Sequence, residues 1–276
     1  EQMILAISGD FERQSLLTKI GDRFTSAVDT TVSAAPVTWP PPAPSSGSKP
    51  GLYHYEMDIP QSKVMLGHRL PELLDWSDSD RFALAVLGEL LGGPGAISRI
   101  AGRLRTAEGL VYRATAELLP GDLWPGVFEI FFETRGSSVE QATRLAVEEV
   151  RRLQRESVHP MELEVVKASL LAHLRLQFDT AEEIVGYLAE DELLGRPHAY
   201  WQSYLEGVAA VTAADVSAAA RSYLRPEAFS TLVVGRWREI APGAGPGTAG
   251  LEALLGHSRI PLPPRDPLTL TVEDPR

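Results

Sequence analysis

The stretch from Gly88 to Tyr112, GELLGGPGAISRIAGRLRTAEGLVY, restricts the possible folds more than any other part of the chain. Two helices must meet here across a very short connection. The first carries Phe82, Val86, Leu87, Leu90 and Leu91 on one face and runs into a break at Gly92, Gly93 and Gly95. The second is predicted to start near Ala96 and carries Arg99, Arg103 and Arg105. Gly109 can end it in a left-handed conformation, because glycine has no Cβ to clash there. Leu110, Val111 and Tyr112 then open a strand. Arg105 falls in the last turn of a helix and Tyr112 at the head of the next strand. The tight corner between them can aim a guanidinium and a phenol at one point.

The flanking chain supplies strands and helices in separate runs. Residues 3–8 read as a short buried strand, and Asp10 is placed to cap a helix over 11–24. Residues 52–59 and 62–70 read as strands parted by Pro60, and Ser77 or Asp78 can cap a helix over 78–91. Residues 110–118 and 127–134 read as strands, the second with Phe128, Ile130 and Phe132 on one face. Ser137 or Ser138 opens a helix to 156, with Val139, Ala142, Leu145, Ala146, Val150 and Leu153 as its stripe. Pro160 suits the first turn of a helix to 178. Helices follow over 181–194 and 199–208, and Thr212 with Asp215 forms a capping box for one over 213–224. Residues 229–234 are the last predicted strand. Strands in runs and helices in runs imply an α+β fold, a mostly antiparallel sheet with helices packed on one face.

Composition shifts set the domain expectations. Residues 27–50 turn to Pro, Ser, Ala and Thr and end in WPPPAPSSGSKP, which reads as a tether. Residues 51–240 form the expected compact half-domain, and 241–276 a Pro/Gly-rich tail. ILAISGDF near the start echoes STLVVGRW near the end: an apolar strand, then Gly9 or Gly235, then an aromatic residue two places on. The echo implies that residues 1–26 are the closing strand and helix of an earlier copy of the same domain. The chain starts at Glu1 without an initiator methionine, so a fragment of something longer is expected.

Several function classes drop out. With no cysteine, disulfides, thiolate nucleophiles and thiolate metal sites are ruled out. A net charge of −11 without a dense basic run argues against nucleic acid as a partner. No apolar run reaches the ~20 residues of a membrane span. That pattern implies a soluble chain and leaves the compartment open between cytoplasm and periplasm. Ser98 lies in A-I-S-R-I, not in a nucleophile elbow, and GGPGAIS lacks the ending of a phosphate loop. Glu148, Glu149, Glu182 and Glu183 read as solvated helix faces. The six histidines, His54, His68, His159, His173, His198 and His257, are scattered. His159 and Glu162 give H-x-x-E, but Leu163 follows. His173 shares a face with Val166 and Leu170 and reads as a packed histidine.

The run LLGG, SR, LR and GL-x-Y resembles the second, non-zinc half of the insulinase-like zinc metallopeptidases, the pitrilysin and mitochondrial processing peptidase group. The resemblance covers roughly residues 52–234, and the duplicated halves of that family agree with the internal echo. It implies that this chain carries no cofactor, the zinc sitting in a partner half with the H-x-x-E-H motif. That half would lie in the same chain or in a separate subunit, with a dimer as one arrangement open to it. Arg105 and Tyr112 match the family's arginine–tyrosine pair, which faces the zinc site across the chamber and contacts a peptide substrate. Arginine can grip a backbone carbonyl with forked donors, and tyrosine can donate to the oxyanion formed as the peptide is attacked. The same fold also serves as a non-proteolytic structural or binding subunit, which is the rival reading.

Overall fold

The structure is a computed structural model and describes residues 4–25, 49–94, 97–243, 250–265, 268, 269, 271 and 272. It has two compact units, Gly47–His173 with Ala199–Arg276, and Glu1–Ser46 with Leu174–His198. The strands are β1 (Gly51–Glu56), β2 (Ser62–Arg69), β3 (Val111–Leu119), β4 (Val127–Thr134), β5 (Ser230–Gly235) and β6 (Arg259–Pro261). The helices are α1 (Arg13–Thr25), α2 (Ser79–Gly92), α3 (Arg99–Ala101), α4 (Val139–Arg155), α5 (Pro160–Leu176), α6 (Ala181–Leu194), α7 (Tyr200–Ala210), α8 (Ala213–Tyr223), α9 (Trp237–Ile240) and α10 (Leu251–Leu255).

In the larger unit all six strands form one sheet in the order β3-β4-β2-β5-β1-β6. The β3–β4, β4–β2 and β2–β5 pairings are antiparallel, and β5–β1 and β1–β6 are parallel. The fold is α+β, with a mixed sheet in which antiparallel pairs are the majority. Strand alternation puts Val64, Leu66, Phe128, Ile130, Phe132 and Val233 on one face, where each is fully buried. On that face α2 packs on β3, α4 packs on β2 and β4, and α8 packs against both helices. On the opposite face Met65 is 41% exposed. The strand register lines up Ile260, Tyr53, Leu232, Met65, Phe131 and Thr115 in one row across all six strands there.

Local chemistry explains most element ends. Asp78 caps α2, its side chain accepting from Asp80 N–H at 2.9 Å. Thr212 and Asp215 exchange both hydrogen bonds of a capping box. Ser138 precedes α4 without a side-chain cap, because a 3-10 turn at Gly136–Ser138 leads into that helix. The sheet continues beyond residue 240. In the expected tail, Leu251 of α10 is buried and β6 adds to β1 as an edge strand.

In the smaller unit, α6 starts with a capping box between Thr180 and Glu183, and the Phe178 and Tyr187 rings lie 5.0 Å apart. Arg196 bonds Glu190 and Asp191, both at 2.9 Å. Residues 4–8 form no strand, contrary to the sequence reading, since an apolar run is a strand only when another strand pairs with it. Glu12, not Asp10, caps α1 by accepting from Gln14 and Ser15 N–H. The expected tether at 27–50 and the expected helix start at Ala96 fall mainly outside the described residues.

Candidate functional site

The site is built from the end of α2 to the start of β3. α2 ends where its backbone approaches β3 so closely that a Cβ on Gly92 would lie 1.7 Å from the Ala116 carbonyl oxygen. That contact requires glycine. Ser98, buried, then donates to the Leu91 carbonyl at 2.7 Å and accepts from Ala101 N–H at 3.0 Å. Its hydroxyl therefore stitches the helix break and caps α3, which leaves it no role as a nucleophile.

The second helix is not uniform. After α3 the backbone widens into a π-helix over Gly102–Ala107, a form that sequence periodicity does not signal. Leu104 of this turn is fully buried and anchors it in the core. Gly109 ends the turn with φ +62°, and Leu110 N–H reaches back to the Leu104 carbonyl at 2.9 Å. Two ion pairs brace the turn. Arg99 grips Glu162 of α5 at 2.8 and 2.6 Å, and Arg103 pairs with Glu108 at 3.0 Å. The Arg99 guanidinium holds the Glu162 carboxyl below its ordinary range against the opposing effect of burial.

Arg105 sits in the π-turn and is exposed, and Tyr112, the second residue of β3, is 87% exposed. Neither side chain has a hydrogen-bond or ion-pair partner among the described residues. The two flank the Gly109 corner on elements pinned by Leu104, Ser98 and the two ion pairs. Thr134 also donates to the Leu110 carbonyl at 2.7 Å, which fixes the head of β3.

A neighbour that sequence reading passed over shares this surface. The β3–β4 register steps from Val111↔Thr134 to Ala114↔Phe132, so a β-bulge sets Tyr112 and Arg113 together against Glu133. Val111 and Ala114 are buried while Tyr112 and Arg113 are exposed. The signal was present in the sequence. Val111, Ala114, Ala116 and Leu118 are the small or apolar positions, and the first gap breaks the period of two.

The histidines sit in separate surroundings. His54 is buried, with Nε2 2.9 Å from the Gly235 carbonyl, and His68 lies between the Arg69 carbonyl and Arg225 N–H. His173 is 48% exposed with Nδ1 3.6 Å from a Glu89 oxygen, so it is not the packed histidine expected from its helix face. Glu149 also departs from expectation: it is buried in α4, with Arg152 at 3.7 Å. Among the described residues no group of three or more His, Asp or Glu side chains is placed to hold a metal ion.

Comparison with known proteins meets this geometry. The family model described as the peptidase M16 inactive domain matches residues 1–170. None of the curated proteins compared with the chain matches it. A solved peptidase M16 inactive domain from Pseudomonas fluorescens superposes with a TM-score of 0.67 at 22% identity, over 83% of this chain and 52% of that one. A protease from Helicobacter pylori follows with 0.66 at 18%, over 82% and 53%. A chain of complex III from Candida albicans gives 0.59 at 16%, over 78% and 52%. At these identities the likeness is one of fold, and the chain spans about half the length of the solved structures it matches. Together with the family model matching most of its length, this places the chain in the peptidase M16 family, in the stretch described as the inactive domain.

Proposed function

We propose that this chain is the non-catalytic, substrate-binding half of a zinc metallopeptidase. It closes a peptide-degrading chamber with a zinc-bearing half, in the same chain or in a partner subunit. The observation behind this reading is the pair of unpartnered donors at the corner. Arg105 and Tyr112 are exposed on braced elements, and their hydrogen-bonding capacity is unspent within the described residues. Arg105 would hold a backbone carbonyl of the peptide. Tyr112 would donate to the carbonyl oxygen as it gains negative charge. Zinc in the other half would supply a Lewis acid and an activated water. This chain adds positioning and hydrogen bonds.

The same reading gives the domain organisation. Residues 1–26 are the closing strand and helix of a preceding copy, 27–50 the tether, and 51–240 with the strand and helix beyond it the present half. The backbone supports the correspondence: Gly9 and Gly235 have φ +145° and +154°. Phe11 or Trp237 stands two residues on, and a helix begins at Arg13 in the first case and at Trp237 itself in the second. In the second copy the strand before the glycine is β5, paired on both sides. The matching residues 4–8 form no strand here, and in this reading the sheet they would join belongs to the other copy.

The likeness to a complex III chain favours a second reading, a structural or binding subunit of the same fold. Reconstitution separates the two. This chain is mixed with the H-x-x-E-H-bearing half encoded before or beside it, and cleavage of a quenched peptide is followed together with complex size. Cleavage by the pair and by neither alone supports the peptidase reading. A stable complex without added turnover supports the binding subunit.

A further inference from the structure

We propose that Arg113 is a specificity-determining residue that pairs with an acidic side chain of the peptide next to the bond that is cut. This rests on the peptidase reading above and gives it a substrate class. Regular alternation from Val111 would send Tyr112 outward and Arg113 into the core. The bulge opposite Glu133 cancels that, and Arg113 stands exposed on the same side as Tyr112. Bulges re-aim side chains in this way at functional edges.

Apart from Arg105, the basic side chains of the corner are paired. Arg99 is bound to Glu162 and Arg103 to Glu108. Glu133, the one residue facing the bulge, pairs with Lys63 at 3.3 Å. Arg113 makes no ion pair among the described residues, on a chain with 37 acidic and 26 basic side chains. A basic residue left free amid excess carboxylate presents its fork to a ligand. Arg105 is assigned to the peptide backbone, so Arg113 is surplus positive charge beside the tyrosine. The ligand chemistry that matches a free guanidinium there is a Glu or Asp side chain of the substrate.

The test uses the complete two-half enzyme and pairs of quenched peptides that differ only by Glu or Gln at one position next to the scissile bond. The expected wild-type preference in kcat/KM is about 5- to 10-fold for Glu at one of these positions, the range of a partly desolvated charged pair. Arg113→Gln should remove that preference and leave the Gln peptide's kcat/KM unchanged. Arg113→Lys should restore part of it, and Arg113→Glu should shift the preference to a Lys peptide. Equal turnover of all pairs by the wild type overturns the proposal. So does an Arg113→Gln variant that slows both peptides alike, or one that keeps the Glu preference. If Tyr112→Phe slows turnover while Arg113→Gln keeps the preference, only this inference fails; normal turnover in Tyr112→Phe removes the parent reading. Where no peptide is cleaved, anisotropy of labelled Glu and Gln peptides with the full chain reads the same difference, and equal affinities overturn it.

Discussion

Arg99 and Glu162 are 63 residues apart and meet through two hydrogen bonds, 2.8 and 2.6 Å, that join α3 of the site to α5. Arginine's planar fork suits a carboxylate taken two-pronged. Glu162→Gln leaves the shape and removes the charge, and should cost about 1 kcal/mol at neutral pH, since one partner remains a third exposed. The sign with pH follows from the lowered carboxyl. The folded value lies below the unfolded one, so the stabilisation is present above the ordinary value of 4.5 and fades as pH falls through the folded value. Urea melts of wild type and variant should differ at pH 7 and converge as pH falls through the lowered folded value. A gap that persists in acid would mean that the side chain acts by packing alone.

His68 should also lose stability as pH falls, but through burial of a neutral ring rather than through a charged pair. Its Nε2 accepts from Arg225 N–H at 3.0 Å, so the ring proton sits on Nδ1, which donates to the Arg69 carbonyl at 2.9 Å. Burial, the largest influence, lowers its pKa below the ordinary 6.5, and stacking on Phe229 at 5.6 Å adds apolar surroundings. Above pH 6.5 the ring is neutral in both folded and unfolded chains and costs nothing. As pH falls from 6.5 through the lower folded value, the unfolded chain takes the proton first and stability drops. Imidazole NMR should report the Nδ1–H tautomer and a midpoint below 6.5. A midpoint at or above it would contradict the hydrogen-bond assignment.

Two glycine-to-alanine changes should move stability in opposite directions. At Gly92 the new methyl meets the Ala116 carbonyl oxygen at 1.7 Å, and that oxygen belongs to packed backbone. The cost should reach or exceed the ~1–3 kcal/mol of ordinary overpacking. Gly186, inside α6, has nothing within 4 Å of its would-be Cβ, so alanine there should stabilise by ~0.5–1 kcal/mol through helix propensity. Thermal melts of the two variants decide it. A neutral Gly92→Ala would mean that α2 can shift off β3.

The parts legible in the sequence were those written in local chemistry. β4 begins and ends at the residues its alternation indicated, 127 and 134, and the Thr212–Asp215 box closes as its spacing implied. Long-range pairing was not legible. Residues 4–8 look like a strand but have no strand beside them, whereas Arg259–Pro261 looks like tail and becomes β6 because β1 offers a parallel edge. The site divides along the same line. The Gly109 corner follows from glycine's tolerance of φ +62°, and so did the placing of Arg105 and Tyr112 around it. The π-turn has no periodic signature. The bulge was readable only as a skipped beat between Val111 and Ala114, and Arg113 went unnoticed with it.

The Arg105 and Tyr112 pair yields the sharpest test, because fold and function predict different outcomes. Tyr112 is 87% exposed and bonds to nothing among the described residues, so Tyr112→Phe removes one hydroxyl that the folded chain does not use. The melting temperature should not move. If the hydroxyl donates to the developing oxyanion, losing it should raise the barrier by ~2.7–4 kcal/mol, about 10²–10³ in kcat, the range for one such donor. Arg105→Ala removes an exposed guanidinium with no internal partner, so it too should melt normally. Its loss should appear as a higher KM, a lower kcat, or both, depending on whether the grip on the peptide tightens in the transition state. Kinetics of the two-half enzyme on a quenched peptide, run beside thermal melts, supply both readouts. If both variants turn over normally the corner is a surface feature and the binding-subunit reading takes its place. If both unfold, the tips carry a structural load that their exposure does not reveal.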